Sequence, residues 1–266
     1  MASENPVWPI VRRGKKGAAV IVFLHGFMGC KEDWLPVMDQ LANSYDCIAF
    51  DLPGHGENLS IATLPSFNEV LTQMENERLR LNIRRWNVAG YSMGGRIALW
   101  YAIQHADVVS SLTLVSTSPG IESDTARKKR IAQDHVWSVF MVTKAADKFY
   151  DEWYDQPVFR SLRSKTELMA KLKQVRKAGL SGFMPNSLED WGQGVMASAW
   201  EFLPGMKVPV LAVAGELDDD YCRTAGRLKN LLPGTQVAIV EDAGHTVHLE
   251  QPVVLSGLLE KFIKTG

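Results

Sequence analysis

The feature that most constrains this chain is the stretch Ala89-Gly90-Tyr91-Ser92-Met93-Gly94-Gly95-Arg96, a Gly-x-Ser-x-Gly motif between two apolar segments of different period. Trp86-Asn87-Val88-Ala89 reads as a buried strand, and Ile97-Ala98-Leu99-Trp100-Tyr101-Ala102 as the apolar side of a helix. A serine at such a strand-to-helix turn is forced into a strained backbone conformation, and glycines two residues to either side let strand and helix approach closely. Gly90 and Gly94 occupy those places. The pentapeptide alone equally suits a Gly-rich turn that contains a serine, so the rest of the chain has to decide.

Around the motif, strand and helix signals alternate. Residues 18–24, 47–50, 112–115, 210–214 and 237–240 are short apolar runs, as expected of strands buried on both faces of a parallel sheet. Residues 7–11 read as a short edge strand, with Pro9 tolerable only where no ladder hydrogen bond is needed. Helical spacing covers 33–42, with Pro36 in the first turn, then 67–81 and 253–263. This alternation specifies a mostly parallel, doubly wound α/β sheet with helices on both faces, whose sites lie beyond the carboxyl ends of the strands. From 121 to 200 the strand signal disappears and helical stretches rich in Trp, Met, Lys and Arg take over. We expect an inserted helical cap there, with 1–120 and 201–266 forming the α/β core. A linker or an independent second domain is the alternative, and Trp137, Phe140, Phe149, Trp153 and Phe159 argue against disorder.

Composition narrows the class of partner. With a formal net charge of -1, the 266-residue chain offers no overall basic balance for nucleic acid or an anionic membrane surface, which leaves a small-molecule substrate as the default. Cys30, Cys47 and Cys222 are odd in number and lack CxxC spacing, which argues against a disulfide framework and a zinc site and fits a reducing cytoplasm. The start, Met1-Ala2-Ser3-Glu4-Asn5-Pro6, lacks the basic-then-apolar order of a signal peptide, and no apolar run approaches the ~20 residues of a membrane span.

Three loops at strand ends each offer a reactive residue: Ser92, then Asp218, then His245. Their order is that of α/β-hydrolases. A serine hydroxyl is a weak nucleophile and base near neutral pH; it needs an imidazole to take its proton and a carboxylate to orient that imidazole. Asp219 and Asp220 follow Asp218 directly, so two of these acids read as a solvated turn. His55, in Asp51-Leu52-Pro53-Gly54-His55-Gly56, follows a strand too early in the chain to be the triad base, and His248 reads as a surface or supporting residue. The His25-Gly26-Phe27-Met28-Gly29 loop is placed to aim a backbone N–H into such a site. Arg96, one turn into the helix, is unusual beside a serine that handles apolar esters but suits a carboxylate, which arginine grips bidentately; a helix-surface ion pair is its other reading.

The elbow Gly-Tyr-Ser-Met-Gly-Gly-Arg, the Leu24-His25-Gly26-Phe27 loop, the Asp51-to-Gly56 stretch, Trp153-Tyr154-Asp155-Gln156-Pro157-Val158-Phe159 and Ala243-Gly244-His245 together resemble the 2-succinyl-6-hydroxy-2,4-cyclohexadiene-1-carboxylate synthase family of menaquinone and phylloquinone biosynthesis. The similarity covers nearly the whole chain. It implies an α/β-hydrolase fold with a helical cap and a cofactor-free, metal-free lyase that eliminates pyruvate from an enolpyruvyl precursor carrying several carboxylates. It implies Ser92, Asp218 and His245 as triad, the N–H groups of Phe27 and Met93 as oxyanion donors, and Tyr91, Arg96, Arg130, Trp153 and Arg176 as substrate contacts. Around Arg176 the spacing departs from the family pattern. By the residues alone, Arg127-Lys128-Lys129-Arg130 suits a solvated helix face and Trp153 a cap core. The triad also admits a hydrolase of an ester, a thioester or a carbon–carbon bond, and a fold kept only for binding is the remaining class. No nucleic acid, membrane or protein partner is implied.

Overall fold

The computed structural model describes residues 7–59, 63–178 and 184–265; the reading of the first six residues, and residues 179–183 of the expected cap, lie outside these. A seven-stranded sheet runs through the molecule in the order β1 (Ile10–Gly14), β3 (Asp46–Phe50), β2 (Val20–Leu24), β4 (Trp86–Tyr91), β5 (Val109–Val115), β6 (Val210–Gly215), β7 (Gln236–Val240). Only β1 is antiparallel to its neighbour; the other pairs are parallel. The first strand lies further along than the 7–11 expected: Trp8 gives its backbone N–H to the Glu77 carboxylate instead of a ladder, and Pro9 has none to give.

Apolar residues on successive positions of one strand serve opposite cores. Val22 and Leu24 pack with Ile48, Phe50 and Val88 under α2 (Phe67–Arg80) and α3 (Met93–Gln104). Ile21 and Phe23 pack with Cys47 and Ala49 under α1 (Leu35–Leu41) and the closing helix, whose Leu255, Leu259 and Phe262 face them. All four β2 side chains from Ile21 to Leu24 are fully buried, each worth about 1.5–3 kcal/mol of apolar transfer, which explains why the runs read as continuous rather than alternating.

Between β5 and β6 the chain leaves the sheet through α4 (Asp124–Thr143), α5 (Ala146–Asp155), α6 (Arg160–Ser164), α7 (Thr166–Ala178) and α8 (Met184–Trp191). These helices hold a cluster of their own, with Phe149, Tyr150, Tyr154, Phe159 and Leu162 packed around Met28 from the loop after β2. Trp191, Ala199 and Trp200, at the end of the same stretch, pack into the core beneath the sheet. After β6 come α9 (Asp219–Leu231), α10 (Val247–Glu250) and α11 (Pro252–Thr265). Among the described residues, no helix is long and apolar enough to cross a membrane.

Candidate active site

Ser92 stands between β4 and α3 with φ 50° and ψ -109°, a left-handed backbone that a serine adopts only under constraint and that costs of order 1–3 kcal/mol. The flanking glycines explain how the turn closes. A Cβ on Gly90 would lie 2.5 Å from the Gly94 carbonyl oxygen, and one on Gly94 would lie 2.3 Å from the carbonyl oxygen of His25. The loop after β2 therefore touches the start of α3 backbone to backbone. Met93, as first residue of the helix, has no N–H partner one turn back, and neither its N–H nor that of Phe27 is hydrogen-bonded to a described residue. His25 fixes the Phe27 loop: its Nδ1–H donates to the Gly26 carbonyl at 2.8 Å, while Nε2 accepts the Leu52 N–H at 3.0 Å. Burial, more than any neighbour, holds this imidazole neutral and lowers its pKa to about 4.

His245 follows β7 and sits between the other two members. Its Nδ1 lies 2.8 Å from Asp218 Oδ2 and its Nε2 lies 3.3 Å from Ser92 Oγ. With the Nδ1 proton given to the carboxylate, Nε2 is left as the acceptor that faces the serine. Asp218 is the N-cap residue of α9, yet its side chain makes no capping bond and is free for the imidazole. It is buried, whereas Asp219 and Asp220 point outward and Asp220 pairs with Arg223. Of the three consecutive aspartates, the first is thus the one turned inward.

Ser92 and His245 open into a cavity of about 290 Å³ between sheet and cap, and every residue that the family resemblance nominates for oxyanion or substrate contact lines it: Phe27, Met93, Tyr91, Arg96, Arg130, Trp153 and Arg176. Arg96 is buried to 7% exposure, donates to the Met196 sulfur at 3.0 Å and to the Trp191 carbonyl at 3.2 Å, and pairs with no carboxylate among the described residues. Burial, and then the neighbouring charge of Arg130, push its pKa down to about 10. The helix-surface ion pair is therefore absent. Arg130 donates to Asp134 and to Gln193, both at 2.8 Å, bridging α4 to the turn after α8. Arg176, on α7, forms a 2.6 Å ion pair with Asp33, both side chains 6% exposed. The Trp153 ring packs on Phe27 and on Trp137, each with centroids 5.1 Å apart, so it belongs to the cap cluster and to the cavity wall at once.

Packing places two further histidines, and two residues that the sequence did not single out, around the site. His248 is fully buried rather than at the surface: its ring lies against Tyr91 and Trp34, with centroids at 4.2 and 4.8 Å, because α10 turns inward behind the triad. His55 is buried beside His25, with its Nδ1 3.1 Å from the Pro53 carbonyl, and does not line the cavity. Tyr221, in the first turn of α9, lies against His245 with ring centroids 4.6 Å apart and the planes tilted by 55°; no motif announces it, since the helix after Asp218 carries it there. Asp33 likewise reads as a helix start and carries no sign of its partner 143 residues away.

A family model described as alpha/beta hydrolase fold matches residues 19–252. A Yersinia enterocolitica protein named 2-succinyl-6-hydroxy-2,4-cyclohexadiene-1-carboxylate synthase is 32% identical over 91% of this chain and 86% of that one. One of the same name from Enterobacter sp. (strain 638) is 30% identical over 95% of both chains. A solved structure described as MenH from S. aureus superposes with a TM-score of 0.91 at 30% identity, covering 97% of this chain and 98% of that one.

Proposed function

We infer the reaction from the premise that the chain belongs to the 2-succinyl-6-hydroxy-2,4-cyclohexadiene-1-carboxylate synthase family of the alpha/beta hydrolase fold. It is an enzyme of that superfamily, and it eliminates pyruvate from 2-succinyl-5-enolpyruvyl-6-hydroxy-3-cyclohexene-1-carboxylate. We propose that it does so as a carbon–oxygen lyase, and the observation that carries this reading is Arg96, buried without an acid partner among the described residues in the cavity that holds Ser92 and His245. An unpaired buried guanidinium is costly, and a carboxylate in the cavity relieves it. The substrate brings one carboxylate on the ring, one on the succinyl arm and one on the enolpyruvyl group; Arg96, Arg130 and Arg176 all line the cavity.

The chemistry follows from the connectivity. His245 Nε2 takes the Ser92 proton, with Asp218 stabilising the imidazolium. The serine oxygen removes the ring proton beside the succinyl ketone, and the ketone oxygen takes up the negative charge, which the N–H groups of Phe27 and Met93 and the positive end of α3 stabilise. The electrons then shift through the ring double bond and break the carbon–oxygen bond to the enolpyruvyl group. His245 returns its proton to the departing enolpyruvate, which tautomerises to pyruvate. Serine and histidine end as they began, and no water is consumed. Tyr91, Arg130 and Trp153 shape the remaining wall.

Supplying the enolpyruvyl precursor and following pyruvate through NADH oxidation by lactate dehydrogenase tests this reading. Wild type releases pyruvate stoichiometrically, and Ser92→Ala does not. Release no faster than with Ser92→Ala would contradict it.

A further inference from the structure

We propose that Asp33 is a positioning residue for Arg176, holding its guanidinium in the cavity wall and cancelling its charge, so that this end of the cavity recognises a polar arm through directed hydrogen bonds while Arg96 supplies the unpaired charge. The inference deepens the function just given and rests on it.

Asp33 belongs to a short 3-10 helix, Lys31–Trp34, that follows the β2 loop, and its carboxylate is anchored from below: the Cys30 N–H donates to Oδ2 at 3.1 Å, and the Cys30 thiol lies 3.7 Å from Oδ1. The carboxylate therefore cannot follow a moving partner. Arg176 comes to it from the cap, giving one NH2 hydrogen to Asp33 and directing NH1 toward Cys30 Sγ at 3.6 Å. The Tyr150 hydroxyl holds the Arg176 backbone carbonyl from the other side. Asp33 and Arg176 both line the cavity, so the pair is part of the binding surface and not only a tie between cap and core. Burial alone would disfavour the Asp33 charge, but Arg176 more than offsets it and the carboxyl titrates below its usual range. The two cationic ends of the cavity thus differ: Arg176 is charge-balanced and fixed by an acid, and Arg96 is held, among the described residues, by a thioether and a carbonyl.

The test compares kcat and KM of wild type, Arg176→Gln, Asp33→Asn, Asp33→Glu and the double Asp33→Asn/Arg176→Gln on the enolpyruvyl precursor. A residue that positions a binding group raises KM, so Arg176→Gln and Asp33→Asn should each raise it about tenfold with kcat within about threefold of wild type. Asp33→Glu, which keeps the charge, should recover most of the loss, and Asp33→Asn should add less than about twofold once Arg176 is gone. A purely structural Asp33 would lower the active fraction, hence kcat, at unchanged KM; that outcome, or KM losses that multiply in the double variant, overturns the proposal. Should Asp33→Asn not fold, the double variant and Asp33→Glu decide alone, since neither leaves Arg176 without a counter-charge. Should wild type release no pyruvate, the lyase reading fails, and tryptophan-fluorescence titration with 4-oxo-4-phenylbutanoate, an aryl ketone bearing the succinyl arm, decides the inference by itself. Weaker binding in both single variants, without further loss in the double, supports it; equal affinity throughout overturns it.

Discussion

Arg96 sits four residues into the helix that begins after the nucleophile, where the helix N-terminus already favours anions, yet among the described residues it donates to Met196 and the carbonyl of Trp191 and to no carboxylate. In the role proposed for it, Arg96 makes a charge-assisted contact to the substrate, so replacing it by alanine should cost about 1.5–3 kcal/mol, roughly one to two decades in kcat/KM. It breaks no ion pair, so Arg96→Ala should keep a wild-type circular dichroism spectrum. Steady-state kinetics of the purified variant check this; an unchanged kcat/KM would remove Arg96 from the site. Other residues of the site hold rather than act. His25 touches no substrate in this account, but its two hydrogen bonds to Gly26 and Leu52 set where the Phe27 N–H points.

Among the elements, the elbow depends on backbone packing that side chains would disrupt. A methyl on Gly94 would lie 2.3 Å and 2.5 Å from the carbonyl oxygens of His25 and Leu24, atoms that cannot rotate away. Gly94→Ala should therefore force α3 off the β2 loop, destabilise the fold by about 1–3 kcal/mol, and lose activity beyond the fraction unfolded. Urea midpoints measured beside kcat check it, and a fully active variant of unchanged midpoint would show that the approach is not tight. This contact was legible in the sequence, because Gly90, Ser92 and Gly94 stand at fixed spacing between a buried strand and a helix. The buried strands were legible for a similar reason: an apolar run such as Val20–Leu24 fits few other environments. What could not be read depends on distant partners. The first strand is displaced because Glu77, on α2, captures the Trp8 N–H. His248 is buried because Trp34 and Tyr91 close over it, and Tyr221 reaches His245 only once the acidic run after Asp218 is known to be helical. The length of the helical insertion hides a similar division, since Trp191 and Trp200 belong to the core of the sheet.

At the scale of the molecule, parallel strands bring the ends of β4, β6 and β7 to one edge, which is why residues 92, 218 and 245 meet. The same close packing buries three histidines as neutral rings. His25 titrates at about 4, and His55 and His248 at about 3, each held down first by burial, against 6.5 for a free side chain. Between pH 6.5 and 4 the unfolded chain thus binds more protons than the folded one. Stability should fall as pH drops through that window, by up to about 1.4 kcal/mol per pH unit for each histidine. Urea denaturation at pH 7.5 and pH 5 measures this, and equal stability at the two would contradict the burial of neutral rings. In the proposed reaction the triad removes a proton and never forms a bond to substrate carbon. Intact-protein mass spectrometry during turnover, combined with turnover in ¹⁸O-labelled water, tests it most directly. A lyase leaves no adduct on Ser92, and no solvent oxygen in either product from the chemical step once ketone exchange of free pyruvate is subtracted. An ester trapped on Ser92, or label in a newly formed product carboxylate, would contradict it and leave a hydrolase.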